Sequence, residues 1–279
     1  MRVLRLRDGD LLELLDGAGT VQLCRLLKAL PGKRGDQGAL QPIQRLHQPA
    51  PALKLCLLQG VSTAEHMDFS VQKGVELGLD SFVAVQCERS TGQLDRVRGA
   101  RKVLHWRAVA ASACQQSGNP WLASIEGPLP WADALAWLPP GLHAWSHPVC
   151  RWVLDPYASL PLARILEQAP PWASRAKDTP EQAEREQAER EERTGRAGRE
   201  RALVEWADPG PPPPILILVG PEAGLSPSEA GQAEQAGFIP VHLGPRTLRT
   251  ETAALAALGA IQSAWGDWST SRQGFRTAD

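Results

Sequence analysis

The stretch from Ile215 to Trp265, ILILVGPEAGLSPSEAGQAEQAGFIPVHLGPRTLRTETAALAALGAIQSAW, reads as two strand-loop-helix units in succession. Ile215 to Val219 is a short, continuous run of mostly branched apolar residues, the pattern of a strand covered on both faces in a parallel sheet. Gly220 ends it. Ser226 as N-cap, Pro227 in the first helical position and Glu229 closing a capping box predict a helix that stops near Gly237. Phe238 to Leu243 predicts a second strand and Gly244-Pro245 a second turn. An alanine-rich helix follows from about Thr250 to Ala264.

Two loops, GPEAG and LGPRTLRTET, are therefore expected at the carboxyl ends of neighbouring strands, the edge where open α/β sheets bind ligands. Neither is a phosphate cradle of the common kinds, because no GxxxxGK followed by Ser or Thr and no GxGxxG after a strand is present. A nucleotide-binding oxidoreductase on a conventional doubly wound sheet lacks its fingerprint here.

The two loops together resemble the cofactor loops of the SPOUT methyltransferase class, and more closely those of the bacterial 16S rRNA (uracil-N3)-methyltransferase family. That family carries a GPEGG-type loop followed by an LG-x-R-x-LRTETA loop. Leu243, Gly244, Arg246, Leu248, Arg249, Thr250, Glu251, Thr252 and Ala253 all stand in the second pattern. The first has one departure: Ala223 sits where the family has a second glycine, which lowers donor affinity if that position needs positive φ or close ligand approach. Upstream, His66 to Ser90 is similar to the family's helix and strand ending in an ERS-type turn, and Trp106 to Gly118 to its EAAEQSGR helix end. The resemblance implies an α/β fold with a SPOUT-type parallel sheet, a C-terminal deep trefoil knot within Ile215 to Trp265, and a homodimer built partly from the last helix. Periodicity alone implies a plain doubly wound sheet, since true knots are rare.

A length of 279 residues with 43% apolar content supports one good core and a division into two domains. Residues 1–50 read as a small β domain. LLELLDGAGTVQLCRL offers two apolar segments around an Asp16-Gly17-Ala18-Gly19 turn, a polar loop spans Gly32 to Gly38, and Pro49 to Pro51 mark a linker. The resemblance implies a PUA-like barrel at this place, with MRVLRLRDGD matching part-way into it, so the barrel is expected to be incomplete at its amino end. By the same resemblance, residues 51–270 are expected to form the SPOUT domain. Within it Leu53 to Leu58, Ser81 to Gln86, Trp121 to Ile125 and Arg151 to Leu154 read as strands. Helices are expected over about Ala64 to Leu77, through Val103 to Gly118 and near Trp131 to Trp137. Residues 173–210 interrupt this domain as a charged insertion with a near-repeat of EQAER type and almost no apolar residues, a segment unable to join a core.

Composition excludes several classes. No apolar run approaches the roughly 18 residues of a membrane span. The five cysteines form no CxxC pair and the six histidines are scattered, so reduced thiols in a cytoplasmic protein are expected and a metal site is not. A net charge of −1 does not advertise nucleic-acid binding, although Glu88 to Arg107 carries six Lys/Arg against two Asp/Glu. The ten tryptophans are either base-stacking platforms or, more commonly for the residue type, packing.

The chemistry implied by the resemblance is methyl transfer from S-adenosyl-L-methionine to uridine N3 in 16S rRNA of the small ribosomal subunit. Donor-holding residues are then Leu218, Val219, Gly220, Pro221, Glu222, Gly224, Leu243, Gly244, Leu248, Thr250, Glu251 and Thr252. Glu222 either faces the sulfonium or a ligand hydroxyl, or caps the helix that follows it. N3 must lose a proton, so negative charge spreads over the flanking carbonyl oxygens. Arg249, just before a helix N-terminus, is the candidate catalytic cation. Arg246, Arg89 and Ser90 are candidates for gripping RNA phosphate, and Gln72 and Lys73 lie on a helix face expected beside the substrate. No general base is named. The competing reading is a non-catalytic RNA-binding or ribosome-assembly protein that retains the fold.

Overall fold

The computed structural model describes residues 6–30, 37–51, 53–140, 149–168, 170 and 212–268. The charged segment 173–210 and the polar loop beginning at Gly32 lie wholly or largely outside them. Three strands come first: β1 (Leu11–Leu15), β2 (Thr20–Leu30) and β3 (Gln37–His47). Then come β4 (Leu55–Gly60), α1 (Ala64–Glu76), β5 (Ser81–Gln86), α2 (Arg96–Ser117), β6 (Ser124–Pro130), α3 (Trp131–Ala136), β7 (Cys150–Leu154) and α4 (Leu162–Leu166). The decisive stretch supplies β8 (Ile215–Val219), α5 (Pro227–Gln235), β9 (Ile239–Val241) and α6 (Thr250–Trp265).

The last six strands make one sheet in the order β6-β5-β4-β8-β7-β9, with every neighbouring pair parallel. β8 lies near its middle, and all five of its residues are buried. Successive side chains of a strand point to opposite faces, and both faces here are covered. Ile215, Ile217 and Val219 pack with Met67 and Val71 of α1, Trp106 of α2, and Leu258 and Ile261 of α6. Leu216 and Leu218 pack on the other side with Ala134 of α3, and Ala233 and Phe238 at α5. Each large apolar side chain removed from water in this way contributes roughly 1.5–3 kcal/mol.

Two sequence expectations need correction. The strands feeding the two loops are not neighbours, because β7 lies between β8 and β9. Adjacency in a parallel sheet is set by crossover connections, which sequence order does not encode. The expected strand Trp121 to Ile125 instead runs from Ser124 to Pro130. Trp121 is drawn out of it to dock the amino-terminal sheet. Its indole donates to Pro49 O at 3.1 Å, and its ring meets His47 edge-on at 6.0 Å. An ideal Cβ on Gly19 would lie 2.3 Å from that ring, so only glycine permits the approach.

The amino-terminal sheet is antiparallel in the order β1-β2-β3, around the predicted turn at Asp16, whose carboxylate accepts from the N–H groups of Ala18 and Thr20. Trp106, Trp137 and Trp152 are buried, which makes them packing residues. All five cysteines are free, and burial pushes the Cys87 thiol up to about 12, so it is no nucleophile at neutral pH.

Candidate active site

Because the sheet is parallel, the turns after β4, β5, β8 and β9 all leave its carboxyl edge. Gly60 ends β4. A Cβ there would sit 2.6 Å from the backbone nitrogen of Pro221, so the absent side chain lets the β4 turn lie directly against the GPEAG loop. Within that loop the left-handed residue is Gly224, at φ +69°, and its N–H donates to Pro221 O at 2.8 Å. The glycine this backbone requires is thus present, and Ala223 is exposed beside it.

The predicted capping box is observed: Ser226 Oγ accepts from Glu229 N, and Glu229 returns a carboxylate to Ser226 N. The other oxygen of buried Glu229 accepts from Glu88 N at 2.7 Å, and Arg89 donates to the carbonyls of Ala223 and Leu225, both at 3.2 Å. Ser90 Oγ accepts from Cys87 N at 2.9 Å. The ERS turn is therefore stitched to the GPEAG loop.

Glu222 does not cap the helix that follows it. Its carboxylate reaches across to the start of α1, accepting from Ser62 Oγ, from Thr63 N at 3.2 Å and from Thr91 Oγ1 at 3.1 Å, with His66 Nδ1 at 3.0 Å. Burial works against ionisation here, yet the hydrogen bonds, led by that from Ser62, outweigh it and bring the carboxyl down to about 2. A fixed negative charge at a helix N-terminus is favourable in its own right.

The second loop is joined to the first by one side chain. Buried Thr250 donates to Gly220 O at 2.6 Å and accepts from Gln59 Nε2 at 2.7 Å. This brings Leu218, Val219, Gly220 and Pro221 together with Thr250 and Glu251 at one crossing. Leu243, Gly244 and Leu248 are half-buried along the loop, and Gly244 N donates to His242 Nδ1 at 3.0 Å. Thr252, Arg246 and Arg249 are exposed, and neither guanidinium has a hydrogen bond or ion pair among the described residues. Two acceptors at the crossing are buried without a hydrogen-bond partner among the described residues, Gln59 Oε1 and Glu251 Oε2, the latter 3.8 Å from His66 Nδ1. Buried polar atoms are normally satisfied, so these two suit a ligand that brings donors or positive charge.

Gln72 and Lys73 are not brought to this edge. α1 starts there and runs back along the sheet, so both fall in its later turns, roughly 10 Å from His66 by helical rise. The Lys73 ammonium is held by Glu76 at 2.8 Å. Sequence reasoning passed over Gln59, Ser62, Thr63, His66 and Thr91. A signal for the first was available: a lone glutamine in the apolar run LKLCLLQG is a polar group that must find a buried partner. Among the described residues no three His, Cys, Asp or Glu side chains are grouped to hold a metal ion.

Comparison with known proteins agrees with this geometry. The RNA methyltransferase domain family matches residues 48–168 and 174–262. The ribosomal RNA small subunit methyltransferase E of Mycobacterium bovis is 26% identical over 269 residues, covering 96% of this chain and 84% of that protein. Its Buchnera aphidicola namesake, from the Acyrthosiphon pisum symbiont, is 24% identical, covering 96% and 85%. The crystal structure of ribosomal RNA small subunit methyltransferase E from Neisseria gonorrhoeae bound to S-adenosyl methionine superposes with a TM-score of 0.68 at 26% identity, covering 96% of this chain and 88% of that one. A Legionella pneumophila structure at 24% identity, with a TM-score of 0.70 over 95% and 87% of the two chains, shares the fold. Two loops crossed at the carboxyl edge of a parallel sheet, and a family match spanning most of the chain, lead to one statement: this chain belongs to the RNA methyltransferase domain family.

Proposed function

We propose that this chain methylates N3 of a uridine in 16S rRNA of the small ribosomal subunit, with S-adenosylmethionine as donor. The observation that carries the reading is the crossing of the two loops through Thr250, Gly220 and Gln59, beside buried acceptors and exposed arginines that have no hydrogen-bond partner among the described residues. The names of the relatives support the substrate, and the donor held by the Neisseria gonorrhoeae protein supports the cofactor.

The donor supplies an activated methyl group on a positively charged sulfur. Backbone groups of Leu218, Val219, Gly220, Pro221, Gly224, Leu243, Gly244 and Leu248 would hold it, with Thr250, Glu251 and Thr252 at the helix start. Glu251 Oε2 fits a cationic or donor-bearing ligand, because it is buried and has no hydrogen-bond partner among the described residues. Glu222 shapes the loop through α1. Arg249 supplies positive charge to the uracil oxygens as N3 loses its proton, and Arg246 meets phosphate. Arg89 keeps part of its guanidinium for RNA beyond its two carbonyl contacts, with Ser90 next to it, and Gln72 and Lys73 belong to a more distant part of the RNA surface.

We assign the finer architecture in the same way. A trefoil knot is supported by the path of the chain, which leaves central β8, passes outside β7 to β9 and returns with α6 onto α1 and β4. The antiparallel amino-terminal sheet is the counterpart of a PUA-like RNA-contacting domain, and residues 51–270 are the catalytic unit. A homodimer through α6 is supported by its exposed small residues Thr252, Ala256 and Ser263, and light scattering measures it directly. No helix of the described residues is long and apolar enough to cross a membrane. The substrate assigns the protein to the cytoplasm.

The test is incubation of small ribosomal subunits with the protein and isotopically labelled donor, followed by nucleoside mass spectrometry. Labelled 3-methyluridine is expected. Donor binding by calorimetry without any labelled nucleoside would favour the non-catalytic RNA-binding reading.

A further inference from the structure

Methylation of neutral uracil at N3 requires a group to accept the N3 proton. Glu222 is unsuited to it, since four partners hold its carboxylate and keep it ionised far below neutrality. His66 is differently placed. It lies in the first turn of α1, at the same sheet edge as both loops, and its side chain is 25% exposed. Its Nδ1 faces Glu222 Oε1 at 3.0 Å, Ser62 Oγ at 3.4 Å and Glu251 Oε2 at 3.8 Å. Ser62 gives its hydrogen to Glu222. Facing a carboxylate oxygen, Nδ1 carries the hydrogen, so in the neutral imidazole Nε2 is the nitrogen that keeps its lone pair. No described residue partners Nε2.

We propose that His66 is the general base of this enzyme, oriented by Glu222, and that its Nε2 takes the proton from uracil N3. The inference rests on the methyltransferase reading above. In the step, the N3–H bond breaks and its proton goes to Nε2. The electron pair left on N3 forms the bond to the methyl carbon, and the pair of the carbon–sulfur bond stays on sulfur, which becomes a neutral thioether. The imidazolium so formed faces Glu222 and Glu251, while Asp68, two residues further on and on α1's other face, is committed to His105 and Trp106 of α2. A carboxylate that fixes a tautomer so that the far nitrogen acts on substrate is the logic of acyl-transfer triads, here with N3 in place of a hydroxyl.

The test uses the full chain, small ribosomal subunits, S-adenosylmethionine and the variants His66→Gln and His66→Ala. Single-turnover methyl transfer is expected to fall ~100-fold or more in both, the range of general base catalysis, with donor affinity within about threefold of wild type. The acid limb of the wild-type pH-rate profile should vanish in both variants, and added imidazole should restore part of the rate of His66→Ala. An independent readout needs no turnover: ¹⁵N-histidine spectra of the donor-free protein, assigned by the signal lost in His66→Gln, should show hydrogen on Nδ1 and a bare Nε2. Rates within threefold of wild type, an unchanged pH profile, the opposite tautomer, or a loss of donor binding equal to the loss of rate would each overturn the base assignment. Wild-type protein that binds donor yet transfers nothing would overturn the functional reading, and the base with it.

Discussion

The loop after β8 and the loop after β9 leave the same edge of one sheet, yet they are held in opposite ways. The first is fastened from several sides: Glu222 to the start of α1, Arg89 to two of its carbonyls, Glu229 to both Ser226 and Glu88, and Pro221 against the bare Cα of Gly60. The second is fastened chiefly at its end, through Thr250, and presents Arg246 and Arg249 with no partner among the described residues. The difference separates two tasks. A loop whose own side chains satisfy one another is a preorganised wall, and a loop with unspent cations is a surface kept for an anionic partner or a developing negative charge.

The strongest way to break this contrast is to cut the one side chain that joins the loops. Thr250→Val keeps the shape but leaves Gln59 Nε2 and Gly220 O without their buried partner. A loss of about 3 kcal/mol in urea unfolding is expected, together with weakened donor binding by calorimetry. Next is Arg249→Ala. Methyl transfer should slow ~100-fold, while unfolding stability stays within about 0.5 kcal/mol of wild type, because the guanidinium has no partner among the described residues. Full activity in this variant would remove the distinction between wall and surface.

Glu222→Gln sharpens the wall side. Its folded-state pKa is lowered from 4.5 to about 2, so the carboxylate's contribution to stability is present above about pH 4.5 and lost as pH falls towards 2. The side chain is 34% exposed, and with solvent screening the contribution is on the order of 1 kcal/mol. Stability measured against pH should show the gap between wild type and variant closing below pH 4.5, and a gap that persists at pH 2 would contradict the assignment. The smallest effect is expected from Ala223→Gly. The loop's positive φ is at Gly224, so donor affinity should change less than about threefold, and a tenfold gain would mean that position 223 limits close approach.

Much of this was legible in the chain because its causes are local. The run ILILV, the Ser226–Glu229 capping box and the Asp16 turn each express period, capping or turn chemistry, which act over a few residues. The second loop was legible through the LRTETA pattern, which contains Thr250, Glu251 and Arg249. Glu222 shows where such reading stops. Adjacency to α5 suggested a cap for that helix, whereas its carboxylate serves the start of α1, more than 150 residues earlier in the chain.

By itself, then, the sequence determined the central buried strand β8, the capping box of α5 and the course of α6, since each depends on neighbours along the chain, and a resemblance to a family pointed to the two loops. Tertiary structure alone decided that β7 separates the strands feeding the two loops, that Trp121 leaves its expected strand to dock the amino-terminal sheet, and that Gln59, Ser62 and His66 join the site. Those outcomes come from crossover connections and from the need of buried polar groups for partners, and both bring together residues whose distance in sequence carries no record of their distance in space.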